Sequence, residues 1–328
     1  MRLLMLGTGP FAVPTFRALY DTRHRMAALV TAPLRTHRGR PVEPISPIRN
    51  IARQYETAIF DPEDVNSPEA VARLASFGAD LLVACDYGQI LAPATLATAR
   101  RGGVNLHAAL LPKYRGAAPI NWAIYHGETE TGVTVIHMTP EIDAGPCIAQ
   151  ARAAIGPDET AVELEVRLAE LGARLVCETI DLLEAGRVQA LPQDPALASK
   201  APRLKKTDGA IDWTRSAAAI KNHVRAMEPW PKTYTFWRRP DGPPVRLILG
   251  PISDLAPGEC TGGQGSPVSQ AGTVLEASGN RLVIAAGQGI VMPKSIQPAG
   301  KRPMSVEEFL RGYHVKPGER FGPEEKRD

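Results

Sequence analysis

Strands that run parallel need a long crossover between them, so a chain alternating short β-rich runs with amphipathic stretches is committed to a layered α/β sheet. The first half of this chain has that rhythm: an apolar run from Arg2 to Leu6, a helix-like stretch from Val13 to Tyr20, and a β run from Met26 to Thr31. A second helix-like stretch, Asn66 to Phe77, leads into another β run, Asp80 to Cys85. Thr160-Ala161-Val162-Glu163 reads as a capping box, followed by Leu164, Leu168, Leu171, Leu175, Leu182 and Leu183, with Gly186 as the stop. This pattern predicts one long helix closing the domain.

The rhythm then changes. Residues 189–203 are rich in Pro, Ala and polar residues without a sustained period, and are expected to be a linker. Beyond them comes one helix-like stretch, Ser216 to Met227, and then short β runs broken by Gly and Pro at 245–249, 272–275, 281–285 and 289–292. Such spacing predicts a small β-barrel over 204–328, with a flexible loop at 257–272. The expected fold class is therefore α/β: a Rossmann-like parallel-sheet domain over 1–188 and a smaller C-terminal, OB-like β-barrel domain. A length of 328 residues suits two domains.

Composition narrows the function classes. The 44% hydrophobic and 22% charged fractions are those of a soluble globular chain and argue against disorder or a membrane partner. The opening apolar run ends at Gly7, too soon for a signal peptide, and Cys85, Cys147, Cys177 and Cys260 are scattered without a CxxC pair. A reducing, cytoplasmic location is expected. Residues 1–190 carry 18 Lys/Arg against 21 Asp/Glu (18 − 21 = −3), whereas 191–328 carry 20 against 14 (20 − 14 = +6). The basic C-terminal part offers a foothold for a polyanion.

Two motifs invite a chemical reading. Gly7-Thr8-Gly9-Pro10-Phe11-Ala12 follows a strand and opens a helix, as a dinucleotide site does, but the second strand ends in Val30-Thr31-Ala32-Pro33 with no carboxylate for a ribose. A tight strand-to-helix turn, without NAD, is the favoured reading. The second motif runs from Val104 to Ile120. If it is extended, Asn105 and His107 share one face while Val104 and Leu106 pack behind. A later β run, Gly132 to Met138, leads to Asp143 at the tip of a turn. Taken singly, Asn105 as a turn former, His107 as a satisfied core histidine and Asp143 as an Asx turn are the favoured readings.

Together, NLHAALLPKYRGAAPI, ETGVTVIHM and IDAGP resemble the signature of the folate-dependent formyltransferases. The resemblance implies that Asn105, His107 and Asp143 are catalytic, and that the formyl donor is 10-formyltetrahydrofolate. An amine would attack the formyl carbon, Asn105 and a protonated His107 would steady the developing oxyanion, and Asp143 would hold the imidazolium and relay the proton. No metal is required. By the same resemblance the pterin lies against Tyr87, Gly88, Gln89, Ile90 and Leu91, against Ala109, Leu110, Leu111 and Pro112, and against Ile142 and Gly145. The chain departs from the family pattern at Ala109 (serine is usual), Asp86 (small and apolar), Ala144 (threonine) and Gly9-Pro10, where proline usually comes one place earlier.

The C-terminal motifs, Leu204 to Trp213, Glu228 to Lys232 and Ser295 to Met304, resemble those members of the family that formylate methionyl-tRNA. This implies initiator methionyl-tRNA, gripped at its acceptor arm, as the partner of a monomer. Arg38 and Arg40 of an N-terminal basic loop, with Lys205, Lys206, Lys301 and Arg302, are the expected phosphate contacts; Lys221, Arg225, Lys294 and Arg311 are further candidates. The alternatives are an amino-sugar formyltransferase with the same catalytic trio and a catalytically idle RNA-binding protein.

Overall fold

Residues 1–34, 36–37, 40–41, 46–239, 242–255 and 270–323 are described by a computed structural model. The chain divides into two compact units, Met1–Ile120 with Glu130–Ile155 and Glu163–Arg203, and Asn121–Thr129 with Gly156–Val162 and Leu204–Asp328. Its first strands are β1 (Arg2–Leu6), β2 (Arg25–Val30), the short pair β3 (Thr36–His37) and β4 (Arg40–Pro41), then β5 (Ile59–Phe60) and β6 (Leu81–Cys85). After these come β7 (Gly103–His107), β8 (Glu130–His137) and β9 (Cys147–Ala154). Except for β3 and β4 they form one seven-stranded sheet in the order β5-β2-β1-β6-β7-β8-β9. The five strands from β5 to β7 are parallel, and β8 and β9 continue the sheet antiparallel.

The reason lies in the strand sequences. Leu3 to Leu6 and Leu81 to Cys85 are buried without alternation, as strands covered on both faces must be. The helices are α1 (Ala12–Tyr20), α2 (Pro47–Gln54), α3 (Pro68–Ser76), α4 (Pro93–Leu96), α5 (Pro119–Tyr125) and α6 (Ala161–Glu184). Ser67 caps α3 by accepting from Ala70 N, and Gly186, with φ +66, follows the end of α6. Helix α6 comes so close to β7 that a Cβ on Gly172 would lie 2.5 Å from a Leu106 methyl, so the face of β7 carrying Leu106 is sealed by helix.

The expected linker has a second role. Residues 189–203 belong to the first unit and are strapped onto it: Leu191 and Cys147 exchange backbone hydrogen bonds, Arg115 N donates to Ser199 O, and Ala201 N donates to Arg115 O. A strap laid along loops needs no hydrophobic period, which is why its sequence reads as a spacer.

In the second unit the strands are β10 (Tyr234–Arg238), β11 (Val245–Leu249), β12 (Ile252–Leu255), β13 (Val274–Ser278) and β14 (Arg281–Ala285). They are followed by β15 (Ile290–Pro293), β16 (Ser295–Pro298), β17 (Met304–Ser305) and β18 (Arg320–Gly322), with helices α7 (Ala217–Ala226) and α8 (Val306–Tyr313). All the pairings are antiparallel, in a five-stranded sheet β17-β16-β11-β10-β18 and a four-stranded sheet β12-β15-β14-β13. Two seams join the sheets. Gly250 N bonds Ser295 O and Lys294 N bonds Pro251 O, so β11–β12 and β15–β16 run on as two long strands; Val274 N bonds Glu319 O and Phe321 N bonds Gly272 O on the other side. The closed barrel surrounds Trp213, Trp237, Leu247, Ile284, Phe309 and Phe321. Most of the loop expected at 257–272, with Cys260, lies outside the described residues.

The glycine turn after β1 serves the sheet itself. Thr8 N and Gly9 N both donate to Asp86 O, at 2.9 and 3.3 Å, and Thr8 Oγ1 donates to Tyr87 O. Asp86, in the left-handed region at φ +49, also accepts from the backbone of Phe11 at the start of α1. The helix N-terminus where a nucleotide phosphate would sit is thus occupied by a carboxyl of the chain. A Cβ on Gly9 would lie 1.8 Å from Asp86 Oδ2, so a larger residue there has to push the carboxyl aside. Gly9→Ala is expected to cost about 1 to 3 kcal/mol by overpacking, and most of that cost should vanish in an Asp86→Ala background. Chemical denaturation of the four proteins of this double-mutant cycle checks it; additive effects would show that the two residues do not press on one another.

Candidate active site

Strand β7 pairs with β6 on one side and β8 on the other, and its alternation directs Asn105 and His107 away from the helix-covered Leu106. Beyond β8 the chain turns through Asp143, which sits in the left-handed region at φ +50, a conformation that aspartate tolerates better than most residues. Asp143 is the hub. Its Oδ1 accepts from Asn105 Nδ2 at 3.3 Å, and its Oδ2 accepts from Gly116 N at 2.9 Å and lies 3.5 Å from His107 Nδ1. The other ring nitrogen, Nε2, lies 2.9 Å from Tyr114 O. Both nitrogens of this buried ring therefore face oxygen atoms, one a carboxylate and one a backbone carbonyl. Asn105 keeps its second amide hydrogen for another acceptor.

Two glycines make the arrangement possible. A Cβ on Gly145 would lie 1.8 Å from His137 O, and one on Gly116, at φ +126, would lie 2.5 Å from Ala201 O. A further support is absent from the motif reading: Gln193, on the strap. Its Nε2 donates to Asp143 O and Gly145 O, at 2.8 and 2.7 Å, while its Oε1 accepts from Arg115 Nε and Nη2. Nothing around Gln193 in sequence marks it, because it acts by reaching back about 50 residues.

The strand exits beside the hub offer an apolar edge. Leu91, Ala109 and Leu111 are buried, whereas Ile90 and Ile142 are 58% and 56% exposed, an unusual position for two isoleucines. Tyr87 is buried with its hydroxyl unpartnered, and burial raises its phenol above the ordinary range. Gly88 is left-handed with nothing within 4 Å of the place a Cβ would take. Gln89 Oε1 accepts from Val65 N, and Gln150 Nε2 and Thr134 Oγ1 donate to the carbonyls of Leu111 and Ala109. Ala109, the departure from serine, is fully buried, so its backbone is what it offers. Burial, with Glu165 nearby, pushes the Asp86 carboxyl up to about 6, although part of the residue stays open to solvent.

The basic candidates fare unevenly. Lys205, Lys206, Lys294, Lys301 and Arg311 are exposed. Arg302 is exposed but holds Glu308 at 2.8 Å, Lys221 holds Asp158 at 2.8 Å, and Arg225 is buried, donating to the carbonyls of Gly156 and Glu159. Lys221 and Arg225 thus serve the fold, a use that sequence spacing does not distinguish from phosphate binding. Arg38 lies outside the described residues, and of Arg40 only the backbone, in β4, is described. One group with metal-ligand spacing occurs among the described residues, His24, Asp181 and Glu184, but Arg23 bridges both carboxylates, and the group shares no residue with the Asp143 hub. No described helix is long and apolar enough to cross a membrane.

A carboxylate holding an amide and an imidazole at the end of a largely parallel sheet is equipment for acyl-group transfer, and the barrel that follows completes a two-domain group-transfer enzyme. The chain belongs to the formyl transferase family: residues 1–180 match the Formyl transferase domain and residues 203–314 the Formyl transferase C-terminal domain. It is 41% identical over 334 residues to the methionyl-tRNA formyltransferase of Rhodopirellula baltica, covering 98% of this chain and 96% of that one. It is 37% identical to the methionyl-tRNA formyltransferase of Geobacter sulfurreducens, covering 98% and 97%. Among solved structures, the N-formyltransferase of Helicobacter canadensis, in complex with folinic acid and dTDP-3-aminofucose, shares the fold with a TM-score of 0.62 at 16% identity, over 90% of this chain and 98% of that one.

Two expectations follow. Gln193→Ala removes the hydrogen bonds that hold Asp143 and Gly145, so if the Asp143 hub is the reacting centre, turnover should fall at least about tenfold at temperatures where the fold is intact. Steady-state kinetics with matched circular dichroism check this; wild-type turnover would show that the strap is dispensable. For Asp86, the folded chain retains the proton up to about pH 6 while the unfolded chain loses it near the ordinary aspartate value of 3.8. Between those values the folded state binds more protons, so stability falls as pH rises and stays at its lower level above pH 6. Asp86→Asn should therefore leave melting near about pH 3.5 unchanged and raise it by roughly 2 °C at about pH 7.5; calorimetry at both values decides, and an equal shift at both counts against a carboxyl held above its ordinary range.

Proposed function

We propose that this enzyme moves the formyl group of 10-formyltetrahydrofolate onto the α-amino group of methionyl-tRNA, with Asn105, His107 and Asp143 as its catalytic residues. The observation that carries the reading is the Asp143 hub, which gathers amide, imidazole and a backbone N–H around one carboxylate. The amine nitrogen attacks the formyl carbon, the carbonyl oxygen becomes an oxyanion, and the bond to folate nitrogen breaks. The free amide hydrogen of Asn105 is the neutral donor to that oxygen. His107 supplies positive charge nearby, its ring held between Tyr114 O and Asp143. Asp143, directly or through a water, takes the proton that leaves the attacking amine and passes it to the departing nitrogen.

The exposed Ile90 and Ile142, the open backbone at Gly88 and the unpartnered Tyr87 hydroxyl suit a flat heterocycle with polar edges, and we assign the pterin to them. The acceptor rests on the relatives, which are named for methionyl-tRNA, and on the basic stretch from 191 to 328. We read the acceptor arm of initiator tRNA as the ligand, the protein as a monomer, and its location as cytoplasmic. The free thiols Cys85, Cys147 and Cys177 are consistent with a reducing compartment.

The test is to incubate the protein with 10-formyltetrahydrofolate labelled in the formyl carbon and with charged initiator tRNA. Label should reach the methionine. Asn105→Ala and His107→Ala should each lower kcat by about a hundredfold to a thousandfold, the usual loss on removing one oxyanion donor, while tRNA affinity stays within about twofold. A parallel loss of binding and turnover would refute this division of labour, and label appearing only on a sugar amine would refute the acceptor.

A further inference from the structure

The loop after β7 supplies two contacts of the hub, Tyr114 O against His107 Nε2 and Gly116 N against Asp143 Oδ2. Every backbone N–H from Lys113 to Gly116 is engaged. Lys113 N donates to Leu110 O, Tyr114 N to Ser199 Oγ at 2.9 Å, Arg115 N to Ser199 O at 2.8 Å, and Gly116 N to Asp143 Oδ2. Two of these acceptors thus belong to one residue of the strap, Ser199, which lies 85 positions beyond Tyr114 in the chain.

Tyr114 is the strained member of the loop. It is buried and stands in the left-handed region at φ +62, which a bulky residue avoids unless its surroundings hold it there. Ser199 holds it at both ends: Oγ takes the N–H of Tyr114, and the main-chain oxygen takes the N–H of the peptide to which the Tyr114 carbonyl belongs. That carbonyl oxygen lies 2.9 Å from His107 Nε2, closer than the 3.5 Å between Nδ1 and Asp143 Oδ2. A carbonyl oxygen only accepts, so Nε2 is the donor in the shorter contact, and the place of Tyr114 O decides where the imidazole points.

We infer that Ser199 is a positioning residue of the reaction, whose hydroxyl holds His107 in place through the backbone of Tyr114. The inference rests on the reading that His107 is catalytic, and it adds a residue from outside the motifs that carry that reading. Without the hydroxyl, the N–H of the buried Tyr114 loses its acceptor, and rotation of its backbone out of the left-handed region relieves both the strain and the unmade bond. Such a rotation draws Tyr114 O away from Nε2 and leaves the ring free to turn. The bond from Arg115 N to Ser199 O still ties the strap to the loop, and Ser199 itself is exposed, so exchanging its side chain leaves the core untouched. The loss therefore falls on turnover rather than on the fold or on substrate affinity.

The experiment measures kcat and KM of the full-length protein with labelled 10-formyltetrahydrofolate and charged initiator tRNA, for the wild type, Ser199→Val and Ser199→Thr, at a temperature where circular dichroism shows each to be folded. Valine and threonine share a shape and differ in the hydroxyl. Ser199→Val should lower kcat about tenfold with KM for both substrates within about twofold of the wild type, and Ser199→Thr should restore kcat to within about threefold. In a His107→Ala background, where the imidazole is gone, Ser199→Val should change kcat by less than about twofold. A kcat near the wild-type value in Ser199→Val would overturn the inference, and so would a change in KM alone. Ser199→Thr no better than Ser199→Val would make bulk responsible instead of the hydroxyl and would also overturn it. A loss of about tenfold that persists in the His107→Ala background has the same consequence, because the serine would then act on something other than His107. Should Ser199→Val not fold, Ser199→Ala takes its place under the same criteria. A wild type that formylates tRNA alongside an unaffected Ser199→Val defeats only this inference, whereas a wild type that transfers no formyl group to tRNA defeats the functional reading.

Discussion

A single carboxylate organises the carboxyl end of β7 and the loops beside it. Asp143 reaches three donors from two different segments, the side chains of Asn105 and His107 on β7 and the backbone of Gly116 in the loop that follows. A carboxylate largely withdrawn from water is costly unless its oxygens are satisfied, so the three contacts stabilise one another. Several other features become intelligible from this point. Gly145 and Gly116 are where backbone passes too close for a side chain, Asp143 accepts a left-handed conformation, and Gln193 holds the carbonyls of the Asp143 loop from behind.

The same economy explains the glycine turn at the start of the chain. Its resemblance to a nucleotide-binding loop is local and genuine, since it follows a strand and opens a helix. What differs is the use of its donors: the backbone N–H groups of Thr8 and Gly9 go to the carbonyl of Asp86, and the Asp86 carboxyl fills the niche at the helix N-terminus. Gly9 and Asp86 are matched to one another, because the carboxyl occupies the volume a side chain at position 9 would need. The pairing is local and shares no residue with the Asp143 hub.

Cationic residues illustrate the limits of a linear reading. Lys205, Lys206, Lys301 and Arg302 stand in basic runs and attract notice, whereas Arg238 and Arg320 are about 80 residues apart in sequence and meet only through strand pairing. Conversely, Arg225 looks like a phosphate ligand in sequence and is buried as a clamp on backbone carbonyls. A positive charge has no fixed meaning until its neighbours are known, because the same guanidinium can donate to a carbonyl, a carboxylate or a phosphate.

What the sequence determined by itself was everything governed by short-range periodicity and by contiguous motifs. The strands at Arg2–Leu6 and Leu81–Cys85, the long helix bounded by Thr160 and Gly186, the change to broken β runs after residue 203, and the sharing of one face by Asn105 and His107 all follow from residues within a few positions of one another. Tertiary structure alone decided what depends on distant segments meeting. Gln193 on the Asp143 loop, the Asp86 carboxyl against Gly9, the closure of the barrel through β18 and β13, and the apposition of Arg238 with Arg320 leave no local signature. A hydrogen bond or a charge pair constrains only the two groups that make it, and the residues lying between them in the chain remain free to read as anything.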